Sequence, residues 1–245
     1  MTKTELKENT AKITQILQSE NFEAGFELLR TKNDPALNEA LSDLIQSRVK
    51  EKYIEEGKGE GFEILSTLLP NLTSLDLNSC YSLQNVDGLA NLTNLTSLDL
   101  GACDSLQNVD GLANLPNLTS LDLYYCESLQ NVDGLANCTN LTSLNLRSCY
   151  SLQNIDGLAN LTNLTSLSLY GSKLENIDNL AHCMNLTSLD LRNCDFLKNL
   201  NALTNLTNLN SVNLNFCKLI QNLDGLANLK KLKVFCRICM VVKLF

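Results

Sequence analysis

Ten cysteines stand out in a chain that has one histidine and no tryptophan. Six of them, Cys80, Cys103, Cys126, Cys149, Cys194 and Cys217, recur at one position of a repeated unit. A thiolate is a nucleophile and a metal ligand, so a column of thiols raises redox and zinc chemistry at once. Neighbouring strands lie about 4.8 Å apart, which leaves disulfide distance open. Side chains projecting inward in parallel are nevertheless badly oriented for a bridge. The reading adopted is a structural thiol ladder, each thiol a small apolar filler with a weak donor. Cys138 and Cys183 fall on leucine positions of the repeat and read as core. Cys236 and Cys239 form a single C-x-x-C with no second pair and no nearby His, too little for a zinc site.

The other reactive residues build no constellation. His182 sits at a turn position usually held by Asn, and no Ser/His/Asp set can be placed around it. No phosphate-binding glycine loop is present. One column of acids, Asp87, Asp110, Asp133, Asp156, Asp178 and Asp224, precedes short turns and suggests helix capping. A second, Asp76, Asp99, Asp122 and Asp190, lacks the convergent oxygens a cation needs. The expectation is a protein without catalytic residues, cofactor or metal.

These residues are positioned by a repeat. Units begin at Asn71, Asn94, Asn117, Asn140, Asn163, Asn185 and Asn208, every 23 residues except for one step of 22 after Asn163. A fixed period of this size marks a solenoid, in which each rung buries its apolar face against its neighbours. Within the first rung Leu75 and Leu77 are two apart, the strand period, so Ser74, Asp76 and Asn78 face the other way. Cys80, Leu83, Val86, Leu89 and Leu92 then come every three residues, which suits a tight three-residue-per-turn path closing the coil.

The spacing L-x-x-L-x-L-x-x-C/N-x-x-L resembles the leucine-rich repeat signature over about 70 to 230. The convex segment NVDGLANLTNL is similar to the short subtype of internalins and of the leucine-rich regulatory subunit of protein phosphatase 1. The cysteine resembles that of cysteine-containing leucine-rich repeats, where internalin-like units carry Asn. The resemblance implies an α/β solenoid, a right-handed coil with a concave parallel β-sheet and a short 3-10 and loop convex side. It names no partner. Internalins are secreted, whereas the start of this chain, MTKTELKENT, lacks the apolar core of a secretory signal.

The copies differ mainly at exposed strand-end positions. One column reads Asn78, Gly101, Tyr124, Arg147, Tyr170, Arg192, Asn215 and its neighbour Ser79, Ala102, Tyr125, Ser148, Gly171, Asn193, Phe216. Tyr and Arg bury large area with few rotors and offer directed hydrogen bonds. Tyr124, Tyr125, Arg147, Tyr170 and Arg192, flanked by Asp99, Asp122 and Asp190, are therefore the expected partner-binding residues. The alternative is drift at unconstrained positions, with the arginines offsetting the acidic column.

Residues 1–60 have a different composition and read as an N-terminal helical capping domain, since a first rung exposes an apolar cross-section that needs a lid. Three helices are expected: one over about 4 to 19, a second capped by Asn21, and a third starting at Asp34-Pro35 and ending near Glu56-Gly57. The segment from Lys50 to Glu60 reads as a charged helix face running into a linker. The solenoid spans 61–230. Residues 231–245 read as a degenerate closing strand or tail that keeps Leu232 and Phe235 on leucine positions and puts Arg237 on the next; a truncated end and an attachment site are the other readings.

The net charge of −8 argues against a non-specific nucleic-acid binder, and no apolar run is long enough to span a membrane. The N-x-T triplets read as by-products of the repeat. The function expected is protein–protein interaction by a cytoplasmic monomer, with export by a signal-less route and tail-mediated association left open. The alternatives are a regulatory or inhibitory subunit of an enzyme and a self-associating structural repeat protein.

Overall fold

The computed structural model describes residues 2–54 and 60–235. Five helices precede the solenoid: α1 Lys3–Leu17, α2 Phe22–Lys32, α3 Pro35–Ala40, α4 Ser42–Val49 and α5 Glu60–Leu68. Eight parallel strands follow, β1 Ser74–Asp76, β2 Ser97–Asp99, β3 Ser120–Asp122, β4 Ser143–Asn145, β5 Ser166–Ser168, β6 Ser188–Asp190, β7 Ser211–Asn213 and β8 Lys233–Phe235. They lie in one sheet in chain order. Each of the first seven strands is followed by a 3-10 turn such as Asp87–Asn91.

Two of the helices, α1 and α3, begin where side-chain oxygens accept from free amides. Thr2 and Glu5 form a reciprocal capping box on α1. Asp34 accepts from Ala36 and Leu37 N–H ahead of α3, with Pro35 at its first position, as the sequence suggests. Asn21 makes no side-chain cap on α2, contrary to expectation.

The long third helix also divides. It breaks at Leu41, whose backbone leaves helical values (φ −111°, ψ 8°), and residues Lys50–Ile54 form a π-helical turn. The apolar spacing explains this. Leu37, Leu41, Ile45, Val49 and Ile54 are all buried, yet they recur every four or five residues. A straight helix of about 3.6 residues per turn would rotate them off one face. The break and the wider turn absorb that drift.

The expected linker instead leads into α5, which carries Phe62, Leu65 and Leu68 inward. Phe62 lies directly against Gly88 of the first 3-10 turn, where an added Cβ would sit 2.5 Å from the Phe62 Cβ. Lys50 reaches the first strand through a 3.3 Å ion pair with Asp76.

The strands repeat in register, Leu75 beside Leu98, Leu121, Leu144, Leu167, Leu189, Val212 and Val234. The final step corrects the sequence reading. Val234, not Phe235, takes the inward leucine position, so Phe235 faces outward and is 51% exposed. A one-residue slip exchanges the faces of a strand, and here it turns the smaller Val234 toward the core. Arg237, Cys236 and Cys239 lie outside the described residues.

The 3-10 turns correct another expectation. Asp87 is the first residue of its turn, and the capping oxygen belongs to Asn85, whose Oδ1 accepts from Asp87 N–H at 3.3 Å. Asn108, Asn131, Asn154, Asn176 and Asn222 do the same for the following aspartates. The aspartates, two residues further on, suit the positive end of a helical turn.

The 22-residue rung is a local discontinuity. Backbone amides of Gln107, Gln130 and Gln153 each donate to the preceding rung, and the series resumes with Lys198 and Gln221. Glu175 makes no such bond to Gln153, and a cleft of about 490 Å³ opens there between Tyr150–Asp156 and Lys173–Asn179. On the convex side Gly111, Gly134 and Gly157 lie so close to the preceding carbonyl that a Cβ would stand 2.0–2.2 Å from it. Asn179 replaces glycine where the rungs separate, and its amide reaches Asp156 Oδ1 at 2.5 Å.

Candidate functional site

The thiol corner and the exposed strand end are adjacent in sequence and opposite in environment. Each ladder cysteine is fully buried or nearly so. Five thiols donate to the carbonyl that ends the preceding rung's strand: Cys103 to Leu77 at 3.3 Å, Cys126 to Leu100 at 3.2 Å, Cys149 to Leu123 at 3.2 Å, Cys194 to Leu169 at 3.2 Å and Cys217 to Leu191 at 2.9 Å. Cys138 and Cys183 donate likewise to Leu112 and Leu158. In the 22-residue rung Ser172 occupies the cysteine position, with its Oγ 3.5 Å from Cys194 Sγ. Burial pushes the thiols up, Cys138, Cys183 and Cys194 to about 11 and Cys126 and Cys217 to about 12. Such thiols stay protonated and inert near neutral pH.

The residue just before each cysteine turns the chain. Ser79, Ala102, Tyr125, Ser148, Asn193 and Phe216 all have φ between 54° and 68°, and Gly171 has 73°. The cysteine N–H closes a four-residue turn onto the last strand leucine, as Cys126 does to Leu123 at 3.3 Å. A positive φ at the third position of such a turn favours Gly or Asn. Five of the six non-glycine residues, Ser79, Ala102, Tyr125, Ser148 and Asn193, have their N–H groups fixed by the next rung, Tyr125 N donating to Arg147 O at 2.8 Å.

Leu121 and Leu123 point into the core, which leaves Asp122 and Tyr124 on the open face of the sheet. The acids of this face hold their own turns. Asp99 Oδ1 accepts from Gly101 N–H at 2.8 Å and Asp122 Oδ1 from Tyr124 N–H at 2.7 Å. Asp122 also takes the Asn145 amide through both oxygens, at 3.1 and 3.2 Å. Asp190 accepts from Arg192 N–H and grips the Arg192 guanidinium at 2.6–3.1 Å, which raises that guanidinium above its ordinary value. Asp99, Asp122 and Asp190 therefore act first on the backbone beside them.

The five aromatic and basic residues form one array. The Arg147 guanidinium lies 5.6 Å from the Tyr124 ring centre and 4.4 Å from that of Tyr170, and Arg192 lies 5.1 Å from the Tyr170 ring. Ring and guanidinium thus alternate across four successive rungs. Each such contact at an exposed site contributes about 0.5–1 kcal/mol. Tyr125 packs beside Tyr124 with ring centres 5.0 Å apart and meets Tyr150 edge-on at 6.0 Å. Tyr150 raises the Tyr125 phenol above its ordinary range, chiefly by hydrogen bonding. Asn193 steadies the far end, its amide donating to Tyr170 Oη at 2.8 Å.

Tyr150 and Asn193 are the members that the sequence reading left out of the site. Asn193 stands in the second varied column, and Tyr150 follows Cys149 at a position that reads Tyr81, Asp104, Glu127, Asp195 and Lys218 in other rungs, so that variation was the available signal. His182 is exposed at the end of its 3-10 turn, between Tyr170 and Arg192 in the chain, and belongs to the turn side of its rung. Among the described residues no three His, Cys, Asp or Glu side chains converge as a metal site, and no helix is long and apolar enough to cross a membrane.

A groove of about 1,020 Å³ lies elsewhere, along the Asn and Thr columns before the strands. Most of its donors are already engaged. Thr96, Thr119, Thr142, Thr165 and Thr187 hydroxyls each donate to the preceding threonine carbonyl. Asn94, Asn117, Asn140, Asn163, Asn185 and Asn208 amides donate to backbone carbonyls of the preceding rung. The N-x-T triplets are thus the two hydrogen-bonded columns that tie rung to rung.

Residues 116–160 match the family model described as leucine-rich repeats (2 copies). Internalin C2 of Listeria monocytogenes is 27% identical, with 74% of this chain and 84% of that one covered at a TM-score of 0.56. Internalin F of the same organism is 26% identical, with 71% of this chain and 57% of that one covered at 0.54. The functional domain of InlJ from Listeria monocytogenes, which includes a cysteine ladder, is 32% identical. There 75% of this chain corresponds to 38% of that one, at a TM-score of 0.59. The chain thus spans less than two thirds of the latter two structures. No curated protein matches it.

Proposed function

We propose, on the premise that this chain is a leucine-rich repeat protein of internalin-like type, that it is a non-catalytic scaffold binding a protein partner on the concave face of its sheet. Leucine-rich repeat proteins generally mediate protein–protein interactions. The observation that carries the reading is the Tyr124–Arg147–Tyr170–Arg192 stack, with Tyr125 against its edge. Consecutive rungs place these side chains side by side on a rigid sheet, so little rotamer freedom remains to be lost on binding. Tyr124 and Tyr125 are each 37% exposed despite their ring contacts.

Affinity purification from the native cell, comparing the wild type with a variant changed at Tyr124, Tyr125, Arg147, Tyr170 and Arg192, tests the site. Loss of the captured partners with an unchanged circular-dichroism spectrum is expected. An unchanged partner set would overturn it. The eight described cysteines are free and buried. Thiol titration of unfolded protein isolated without reductant should recover all of them.

A further inference from the structure

The two arginines of the array differ in one respect that bears on the partner. Arg192 is neutralised from within: Asp190, two residues earlier on the same strand, holds its Nε and Nη2 through both carboxylate oxygens. In the rung of Arg147 the equivalent position is Asn145, and its Oδ1 accepts only the Arg147 backbone N–H, at 3.1 Å. The nearest acid of the column, Asp122, is taken by the Asn145 amide and the Tyr124 N–H. Among the described residues, the Arg147 guanidinium has neither hydrogen bond nor ion pair; Arg30, Arg48 and Arg192 all have acceptors. What Arg147 has instead is a ring near each side. Stacking on aromatic faces fixes the plane of a guanidinium and leaves its N–H edge outward, the geometry that takes a carboxylate bidentately.

We infer that Arg147, clamped by Tyr124 and Tyr170, is the anchor for an Asp or Glu side chain of the protein partner. This rests on the concave-face reading above. Charge decides for a carboxylate over a phosphate. Only one guanidinium is unneutralised here, and a phosphate group at neutral pH carries about 1.5–2 negative charges. The surrounding column is acidic and the whole chain carries −8, so a second negative charge would go unmatched. The flanking rings accept the apolar stem of the acidic side chain and the neighbouring residues of the segment.

The test selects a phage-displayed library of random peptides on the immobilised full chain. Enriched peptides are synthesised with their acids intact, with Asp→Asn or Glu→Gln, and with phosphoserine in place of the acid. The expected outcome is enrichment of one acidic position, whose amide form loses affinity on the order of tenfold or more. Arg147→Gln should reproduce that loss, and Arg147→Lys should recover part of it. Asp190→Asn, which releases the second guanidinium, should strengthen binding severalfold. Peptides that depend on Tyr124 and Tyr170 but bind equally well as amides would overturn the anchor and leave the concave-face reading standing. Tighter binding of the phosphoserine form would overturn the choice of carboxylate. Enriched peptides insensitive to Tyr124→Ala and Tyr170→Ala together would remove both readings.

Discussion

Tyr125 and Cys126 are consecutive residues under opposite constraints. Cys126 is wholly buried, and its thiol, like most in its column, donates to the rung before. Its column holds cysteine in six of seven rungs. Tyr125 is partly exposed, and its column holds seven rungs with six different residue types. Yet the backbone at that varied column is the least ordinary in the rung, with φ positive in all seven. Freedom of side-chain chemistry and freedom of conformation are therefore separate. The corner fixes chemistry because its side chain is enclosed. The turn admits any chemistry, but it charges each non-glycine residue for a left-handed backbone.

The largest effect that separates the two positions is alkaline unfolding. A cysteine has an ordinary value of 9.0, while burial raises Cys126, Cys138, Cys183, Cys194 and Cys217 to about 11–12. Above pH 9 the unfolded chain releases these protons and the folded chain keeps them. Stability is thus whole below that pH and declines until the folded thiols ionise. The slope is about 1.4 kcal/mol per pH unit for each thiol. Urea melts between pH 8 and 11 should show the decline, and a flat profile would mean that the corner is open to solvent.

A smaller effect contrasts the closed and open parts of the convex side. Gly134→Ala places a Cβ 2.1 Å from Val109 O, and should cost about 3 kcal/mol in denaturant unfolding. A cost below about 1 kcal/mol would show that rungs slide apart as easily elsewhere as beside Asn179. Cys149→Ala should cost about 1–2 kcal/mol, from lost volume and from one lost hydrogen bond to the Leu123 carbonyl, which keeps the Cys126 N–H. At the turn, Ala102→Gly relieves a φ of 54° and should raise the melting midpoint slightly, by a few tenths of a kcal/mol. Destabilisation there would show that the left-handed backbone carries no strain.

Much of this fold is legible in the chain because the repeat states each rule several times. Leucines two apart gave strands, and apolar residues three apart gave 3-10 turns. The cap was harder. Its apolar residues recur at slightly more than four positions, a spacing that signals a broken helix only once the core face is known. α5 falls at the start of the span read as solenoid, although Phe62, Leu65 and Leu68 stand at helical spacing. The varied columns pointed to Tyr124, Tyr125, Arg147, Tyr170 and Arg192. The spacing in sequence could not show that they stack, because each comes from a different strand.

By itself the sequence determined the rung: its length, its inward leucines and thiols, and the columns left free to vary. These follow from periodicity, which is a local property. The tertiary structure decided which acids were already engaged and where the closing strand would register. It also set Arg147 apart from Arg192, through Asn145 in place of an aspartate and a ring on either side. Such differences arise between rungs about 4.8 Å apart in space but some 23 residues apart in sequence, where only the folded sheet brings the partners together.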